Sequence, residues 1–313
     1  MANVKIIKRF PDITKPGFSF PEWNRQFYEN NVILNGHYSS IEYPLHWTAL
    51  SIKCAFNGTE HYETSRVKYS VNDKNFLIFN EGAMYNSRIN SERKVESFTI
   101  NFKNDFAKDV INTVTSANME MLDNPVNGNE NNYWFFEKLY RHDDRSLYLM
   151  SQIKKQIDFP GGTTGEKINE LLSMLLEKMC RINDLSLCQS AEIRSEKLST
   201  RLEIYKRLSY AKDYLHSNYH ENISNDRLSA IACLSPYHFL RSFKQVYKLT
   251  PHQYLTKTRL EAAKDLLLSG SDTVSGICQA VGFESVSSFC KLFRKHSGAS
   301  PENFRLKKAI LKH

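Results

Sequence analysis

The chain has 313 residues, enough for two domains that each bury a core of their own. Its formal net charge of +8 is uneven: residues 205–313 hold 17 Lys and Arg against 8 Asp and Glu, whereas residues 1–204 are close to neutral. A basic C-terminal third favours a polyanionic partner, with nucleic acid as the first candidate. A moderately basic soluble domain without such a partner is the alternative on charge alone.

Cysteine usage and hydropathy limit the compartment in which we expect the chain. The six cysteines show neither CxxC nor Cys/His zinc spacing, and several lie in apolar helical patterns where a reduced, buried thiol is ordinary. The first residues start no apolar signal run, and no apolar segment approaches about 20 residues. We therefore expect a cytoplasmic protein without a membrane partner.

The first hundred residues are typical of a β-rich domain. Four segments rich in β-branched and aromatic residues are separated by Gly and Asn clusters, at a spacing that favours a sandwich or barrel. These segments are 47–56, 60–71, 75–80 and 96–102. From residue 105 onward the pattern becomes helical, and it predicts helices at 112–121 and 145–157 with a polar loop at 124–132 between them.

After Pro160-Gly161-Gly162, the segment 166–180 predicts one amphipathic helix, because its apolar residues recur at three- and four-residue steps. This stripe either packs on the β-domain or pairs with a second copy of itself. Its members are Ile168, Leu171, Leu172, Leu175, Leu176 and Met179. The polar, serine-bearing segment 183–200 is interpreted as a linker with some helical character.

Two stretches near the C-terminus repeat each other in register. Phe239 and Phe243 recur as Phe289 and Phe293, displaced by 50 residues. Three Ser-Pro or Thr-Pro pairs predict helix starts, because the hydroxyl caps the helix and proline suits its first position; they are Ser235-Pro236, Thr250-Pro251 and Ser300-Pro301. Each copy therefore indicates a helix-turn-helix. The helix at 259–268, which ends at Ser269-Gly270, is expected to join them.

Each phenylalanine pair is spaced four residues apart and should face inward, which leaves long polar side chains on the other side of the helix. A recognition helix requires this division. Arg241 is the best candidate for a bidentate contact to guanine, whereas the later cations Lys244, Arg294 and Lys295 are expected to meet phosphates. A solvated basic face is the alternative for a single unit, and the in-register repeat argues against it.

At these residues the chain, from about Tyr205 to Lys308, resembles the AraC/XylS family of bacterial transcription regulators. The most specific part is 277–305, with its Gly282-Phe283 turn and Gly298. The resemblance implies that the two units enter successive major grooves about 34 Å apart. The implied DNA-contacting residues are Pro236, Tyr237, Leu240, Arg241 and Lys244 in the first unit, and Ser285, Val286, Ser287, Lys291, Arg294 and Lys295 in the second.

Two positions depart from the family pattern. Lys248 stands where the family usually has a glycine at the end of the first recognition helix. Lys291 replaces a more frequent arginine, and a lysine lacks the bidentate geometry of the guanidinium.

The N-terminal region is compatible with the cupin-like sensor domain that such regulators often carry. A cupin enzyme would need clustered His and Glu ligands, but His37, His46 and His61 are widely spaced, and we expect neither a metal nor a cofactor. No sequence motif for catalysis is present. Four aromatic residues are candidates for lining a pocket, although core packing is the commoner role: Trp23, Trp47, Tyr62 and Tyr69.

The sequence thus predicts an α+β protein in three parts: a cupin-like barrel with C-terminal helices that senses a ligand or dimerises (1–182), a linker (183–200), and an all-α domain with two helix-turn-helix units joined by a helix (201–313). We expect a sequence-specific transcription regulator and no enzyme. The expected partners are double-stranded DNA, a small-molecule effector, a second copy of the chain and RNA polymerase. The alternatives are a metal-dependent cupin-type enzyme with a helical appendage and a nucleoid-type binder without sequence preference.

Overall fold

A computed structural model describes residues 2–13, 15–119, 133–158, 164–195, 197–270 and 272–310 of the chain. The chain divides into two compact units, Met1–Gln189 and Ser190–His313. None of the helices in these described ranges is long and apolar enough to span a membrane. The loop predicted at 124–132 and the Pro160-Gly161-Gly162 break lie outside the described residues.

The N-terminal unit is built on one sheet with helices packed against it. Its strands are β1 (Asn3–Ile7), β2 (Asn30–Trp47), β3 (Ser51–Phe56), β4 (Glu60–Glu63), β5 (Lys68–Val71), β6 (Asn75–Phe79), β7 (Met84–Asn101) and β8 (Leu139–Arg141). Its helices are α1 (Phe20–Glu29), α2 (Asn104–Met119), α3 (Asp144–Asp158) and α4 (Gly165–Ser190). The mixed α+β class predicted from the sequence is confirmed.

The sheet is open, so the predicted cupin-like barrel is not confirmed. Its strand order is β1-β2-β7-β3-β6-β8, and β4 pairs with β5 and β7 off this path. Within the described residues, β1 at one end pairs only with β2 and β8 at the other only with β6. The spacing of the apolar segments correctly predicted β-strands in this region. Closure of a sheet into a barrel depends on which distant strands pair, and the spacing carries no information about that pairing.

One hydrophobic core joins the sheet to helices α2, α3 and α4. Ile33 and Phe98 on the sheet belong to the same buried cluster as Ile153 of α3 and Leu172 of α4. The whole apolar stripe of α4 is buried there, with no member more than 7% exposed. The first alternative for this stripe, packing on the β-domain, is therefore confirmed.

Several boundaries differ from the sequence-based prediction. Residues 96–102 were predicted as a short strand, but β7 begins at Met84, and β2 is equally long at 18 residues. No residue of β2 from 37 to 47 is buried, and of residues 84–92 in β7 only Tyr85 and Ile89 are buried. These segments therefore lack the regular alternation of buried and exposed residues by which a strand is recognised. α4 continues to Ser190 and α5 begins at Leu198, so the predicted linker 183–200 is longer than the segment between these helices.

The C-terminal unit consists, in its described part, of seven helices that range from 7 to 20 residues in length. They are α5 (Leu198–Ser217), α6 (Asn225–Ile231), α7 (Pro236–Tyr247), α8 (Pro251–Ser269), α9 (Val274–Ala280), α10 (Val286–Ser297) and α11 (Pro301–Ile310). The predicted helix starts at Pro236, Pro251 and Pro301 are confirmed, as is the stop at Gly270. Thr250 and Gln253 form a reciprocal capping box at the start of α8.

Candidate nucleic-acid interface

The first helix-turn-helix consists of α6 and α7. Ser224 caps α6, since its hydroxyl accepts a hydrogen bond from the backbone N–H of Arg227 at 3.1 Å. A tight turn through Cys233, which has a left-handed φ of 49°, leads into α7. On α7, the rings of Phe239 and Phe243 are fully buried, so that the opposite side of the helix faces solvent.

The solvent side of α7 carries every DNA-contacting residue predicted in this unit. Pro236, Tyr237, Leu240, Arg241 and Lys244 are all exposed, and Tyr237 is 76% exposed. Neither Arg241 nor Lys244 has an ion-pair partner in the part of the chain that the structure describes. The helix therefore presents two unneutralised cations beside an exposed aromatic ring.

The second helix-turn-helix, α9 and α10, repeats this arrangement. Phe289 and Phe293 are fully buried beneath α10. The predicted residues of this unit, Ser285, Val286, Ser287, Lys291, Arg294 and Lys295, are all exposed. Ser285 is the N-cap of α10, because its hydroxyl accepts a hydrogen bond from the backbone N–H of Ser288 at 3.3 Å. Its acceptor capacity is therefore partly used by the fold, which the sequence had not indicated.

Ser235, the corresponding N-cap of α7, behaves differently. Its backbone has the extended conformation of a helix cap, but its side chain makes no capping hydrogen bond. Ser235 as a whole is exposed, as is Tyr237 two residues later. The sequence predicted Ser235 as the N-cap of this helix and did not indicate that its side chain leaves the cap unbonded.

The turns between the paired helices differ in length by one residue. Cys233 is two residues before the N-cap Ser235, whereas Gly282, which holds the same left-handed place, is three residues before Ser285. In both turns the next residue closes a backbone hydrogen bond to the preceding helix, from Leu234 in one and from Phe283 in the other. The two units thus share one backbone design despite the insertion.

The departure at Lys248 does not disturb the end of α7. Lys248 adopts a left-handed φ of 58°, close to the 76° of Gly298 at the end of α10. Its backbone N–H donates to the carbonyl of Lys244, as that of Gly298 does to Arg294. Its ammonium pairs with Glu192 at 2.7 Å. Lysine therefore occupies the glycine conformation without changing the cap.

Helix α8 connects the two helix-turn-helix units, and its Arg259 links the loop before α6 to the turn of the second unit. The guanidinium donates from Nε to the carbonyl of Tyr219 at 2.7 Å and from Nη2 to that of Glu221 at 2.8 Å. It also lies 5.7 Å from the ring of Phe283 in the second turn. Gly282 is packed against the same loop, since a Cβ there would lie 2.6 Å from the carbonyl oxygen of His220. The sequence predicted a joining helix but not this contact.

In the N-terminal unit, three of the four aromatic candidates line one pocket. They are Trp23, Trp47 and Tyr62. Tyr69 is instead buried in the core at 1% exposure. Within the described residues, no three His, Cys, Asp or Glu side chains are grouped to hold a metal ion.

Comparison with known proteins concerns mainly the C-terminal unit. A family model described as a helix-turn-helix domain matches residues 228–307. The probable transcriptional regulator LumQ of Photobacterium leiognathi is 36% identical over 93 residues, 30% of this chain and 38% of LumQ. The bifunctional transcriptional activator/DNA repair enzyme AdaA of Bacillus subtilis is 32% identical over 93 residues, 30% of this chain and 44% of AdaA. The chain thus spans less than half the length of either relative.

A solved structure of a transcriptional regulator with an AraC-type DNA-binding domain, from Chromobacterium violaceum, is 29% identical. The match covers 33% of this chain and 92% of the Chromobacterium violaceum chain, with a TM-score of 0.32. The region that the family model matches, residues 228–307, extends from within α6 into α11 and so covers the paired helices of both helix-turn-helix units. The sequence resemblance to the AraC family lies in the same part of the chain as this match.

Proposed function

We propose that the whole chain is a sequence-specific transcription regulator that binds two successive major grooves of one DNA duplex. The observation that carries this proposal is that α7 and α10 each have one buried apolar side and one exposed cationic side. Each helix buries a phenylalanine pair completely and exposes cations that have no ion-pair partner among the described residues. Cations left unpaired on a recognition helix remain available to phosphates and base edges.

In the first groove, Arg241 donates both arms of its guanidinium to the O6 and N7 atoms of a guanine. Tyr237 and Leu240 supply apolar contact beside it, and both are exposed on the same helix. Pro236 and Lys244 lie at the two ends of this surface, where the DNA backbone passes, and Lys244 binds a phosphate.

In the second groove, about 34 Å along the duplex, Val286, Ser287 and Lys291 face the base edges. Lys291 acts as a single positive charge, because an ammonium cannot form the planar fork of arginine. Arg294 and Lys295, in the last turn of α10, bind phosphates and position the helix. Ser285 contributes its hydroxyl hydrogen while its oxygen caps the helix.

The N-terminal unit adjusts this DNA binding, through an effector, through pairing with a second copy of the chain, or through both. An effector can act only by binding one arrangement of the two units more tightly than another. If the regulator activates transcription, it also contacts RNA polymerase. The N-terminal assignment is supported by a pocket in that unit with buried polar groups.

The test is selection of bound fragments from random DNA by the purified chain, followed by competition between the selected site and bulk DNA at a stated salt concentration. A regulator should prefer its site by about 10³ or more. Equal affinity for both would instead identify a nucleoid-type binder. Mapping of bound sites across the source genome would then give the target genes.

A further inference from the structure

The N-terminal unit contains a pocket between α1 and the sheet strands β2, β3, β4 and β7. Its cavity volume is about 40 Å³, and its total space is about 570 Å³ when the part open to solvent is included. One wall is aromatic and includes Trp23, Phe27 and Trp47. A concave, mostly apolar site with few convergent polar groups is the usual form of a small-molecule site.

Two side chains of opposite charge are buried in this pocket without touching each other. Lys53 is 2% exposed and Glu60 is 3% exposed, and both line the cavity. Both residues lie in the described part of the chain, and no ion pair within 4.0 Å joins the Lys53 ammonium to the Glu60 carboxylate. Burial of charged groups without direct pairing is unfavourable, and proteins rarely retain it in a core that serves stability alone.

Part of the hydrogen-bonding capacity of the pocket's polar groups is unused. The ammonium of Lys53 donates to the hydroxyl of Thr48 at 3.4 Å and lies 4.8 Å from the ring of Tyr85. Oε2 of Glu60 and Nδ2 of Asn101 are buried with no hydrogen-bond partner. Because Asn101 also lines the pocket, two donors and one acceptor are available to a ligand.

The electrostatics agree with this geometry. Burial lowers the pKa of Lys53 to about 7, and the nearby Glu60 carboxylate opposes that shift only partly. Burial also raises the pKa of Glu60, even though the hydroxyls of Ser97 and Tyr62 stabilise its charged form. Each group thus lacks the full compensation that a bound counter-charge would provide.

We propose that this pocket binds a small zwitterion, an α-amino acid with a compact apolar side chain. Its carboxylate accepts hydrogen bonds from Lys53 and Asn101, its ammonium donates to Glu60, and its side chain packs on the aromatic wall. A simple organic acid would leave Glu60 without a partner, and a simple amine would leave Lys53 without one. A neutral polyol would leave both charges buried and uncompensated. This ligand class extends the proposed function, because it makes the amino acid the effector.

Binding is measured on the full chain without DNA, so that failure here is distinct from failure of DNA recognition. Isothermal titration calorimetry is performed with L-alanine, L-valine and L-leucine, alongside tryptophan fluorescence, because two of the three tryptophans line the pocket. The tightest amino acid is then compared with its deaminated acid, its decarboxylated amine and D-glucose. We expect each analogue to bind at least about 10-fold more weakly, since each leaves buried polar groups unpaired.

Two variants test the assigned contacts. Lys53→Met and Glu60→Gln keep the side-chain size, and each should weaken amino-acid binding at least about 10-fold. The melting temperature of Lys53→Met should be unchanged or higher, because a buried charge has been removed. The matched control Lys94→Met replaces an exposed lysine outside the pocket and should bind as the wild type does.

The proposal is overturned by any of three results. One is the absence of saturable binding by all three amino acids. Another is equal affinity for an analogue that lacks one charged group, or for glucose. The third is full amino-acid affinity in Glu60→Gln or Lys53→Met; should Lys53→Met fail to fold, Glu60→Gln and the analogue series still decide.

Discussion

The two helix-turn-helix units share a backbone but differ in the residues that occupy its left-handed positions. The second unit places Gly282 and Gly298 there, whereas the first places Cys233 and Lys248 at the corresponding points. A left-handed conformation costs a non-glycine residue about 1–2 kcal/mol. The comparison shows that the surrounding helices impose these turns, and that the first unit tolerates strain that the second avoids.

The difference extends to the exposed surfaces. The first unit presents the planar fork of Arg241, whereas the second presents Lys291 and a denser group of cations at the end of α10. Discrimination between bases depends on bidentate geometry, while phosphate binding depends mainly on charge. We therefore expect the first unit to contribute more to sequence preference and the second more to overall affinity.

The largest effect is expected from Gly282→Ala. The added Cβ would meet the carbonyl oxygen of His220 at 2.6 Å, and the φ of 86° is unfavourable for alanine. Strain and overpacking together should lower the free energy of unfolding of the C-terminal unit by about 2–4 kcal/mol. Urea denaturation measures this change. Cys233→Gly, at the corresponding turn, should have the opposite sign; destabilisation by both would show that the turns are not equivalent.

Arg241→Ala should come next, with a loss of about 1–3 kcal/mol in binding to the selected site and relaxed preference at one base position. The reason is loss of a bidentate contact that only the correct base can complete. Affinity measurements on the selected site and on its single-base variants reveal this pattern. Arg241→Lys is the control, because it keeps the charge and loses the fork. Equal losses on selected and random DNA would assign Arg241 to a phosphate instead.

Much of the C-terminal unit was predictable because its signals are local. Ser235-Pro236 and Thr250-Pro251 mark helix starts within a few residues, and the spacing of Phe239 and Phe243 identifies the buried side of α7. The exposure of all the predicted contact residues follows directly from that spacing. The contacts of Arg259 were not predictable, since they join segments about 40 residues apart.

The N-terminal unit was harder to predict because its structure depends on pairing between distant strands. Lys53 lies in a strongly β-type segment, but only its pairing opposite Thr99 shows that its side chain faces the interior. Helix α1 was missed, although Ser19 caps it and Pro21 occupies its first turn. A local pattern thus identifies strands, whereas register decides which of their residues form a pocket.

A stabilising change is expected from Lys248→Gly. Glycine adopts the φ of 58° without steric cost, so the free energy of unfolding should rise by about 1 kcal/mol. The lost pair with Glu192 is exposed and should contribute little. Glu192→Ala measures that contribution separately. Gly298→Lys, the reverse change in the second unit, should destabilise by a similar amount; stabilisation there would contradict the strain argument.

The smallest and most diagnostic effect is expected from Lys295→Ala. Lys295 lies in the exposed last turn of α10 and is assigned to a phosphate, which carries no sequence information. Removing one phosphate contact should weaken selected and random DNA alike and should reduce the slope of log affinity against log salt by about 1. Titration at several salt concentrations measures the slope. Lys257→Ala, on α8 outside both recognition helices, is the matched control for loss of one positive charge. An unchanged slope for Lys295→Ala, or an equal reduction for Lys257→Ala, would mean that general charge rather than the end of α10 governs phosphate binding.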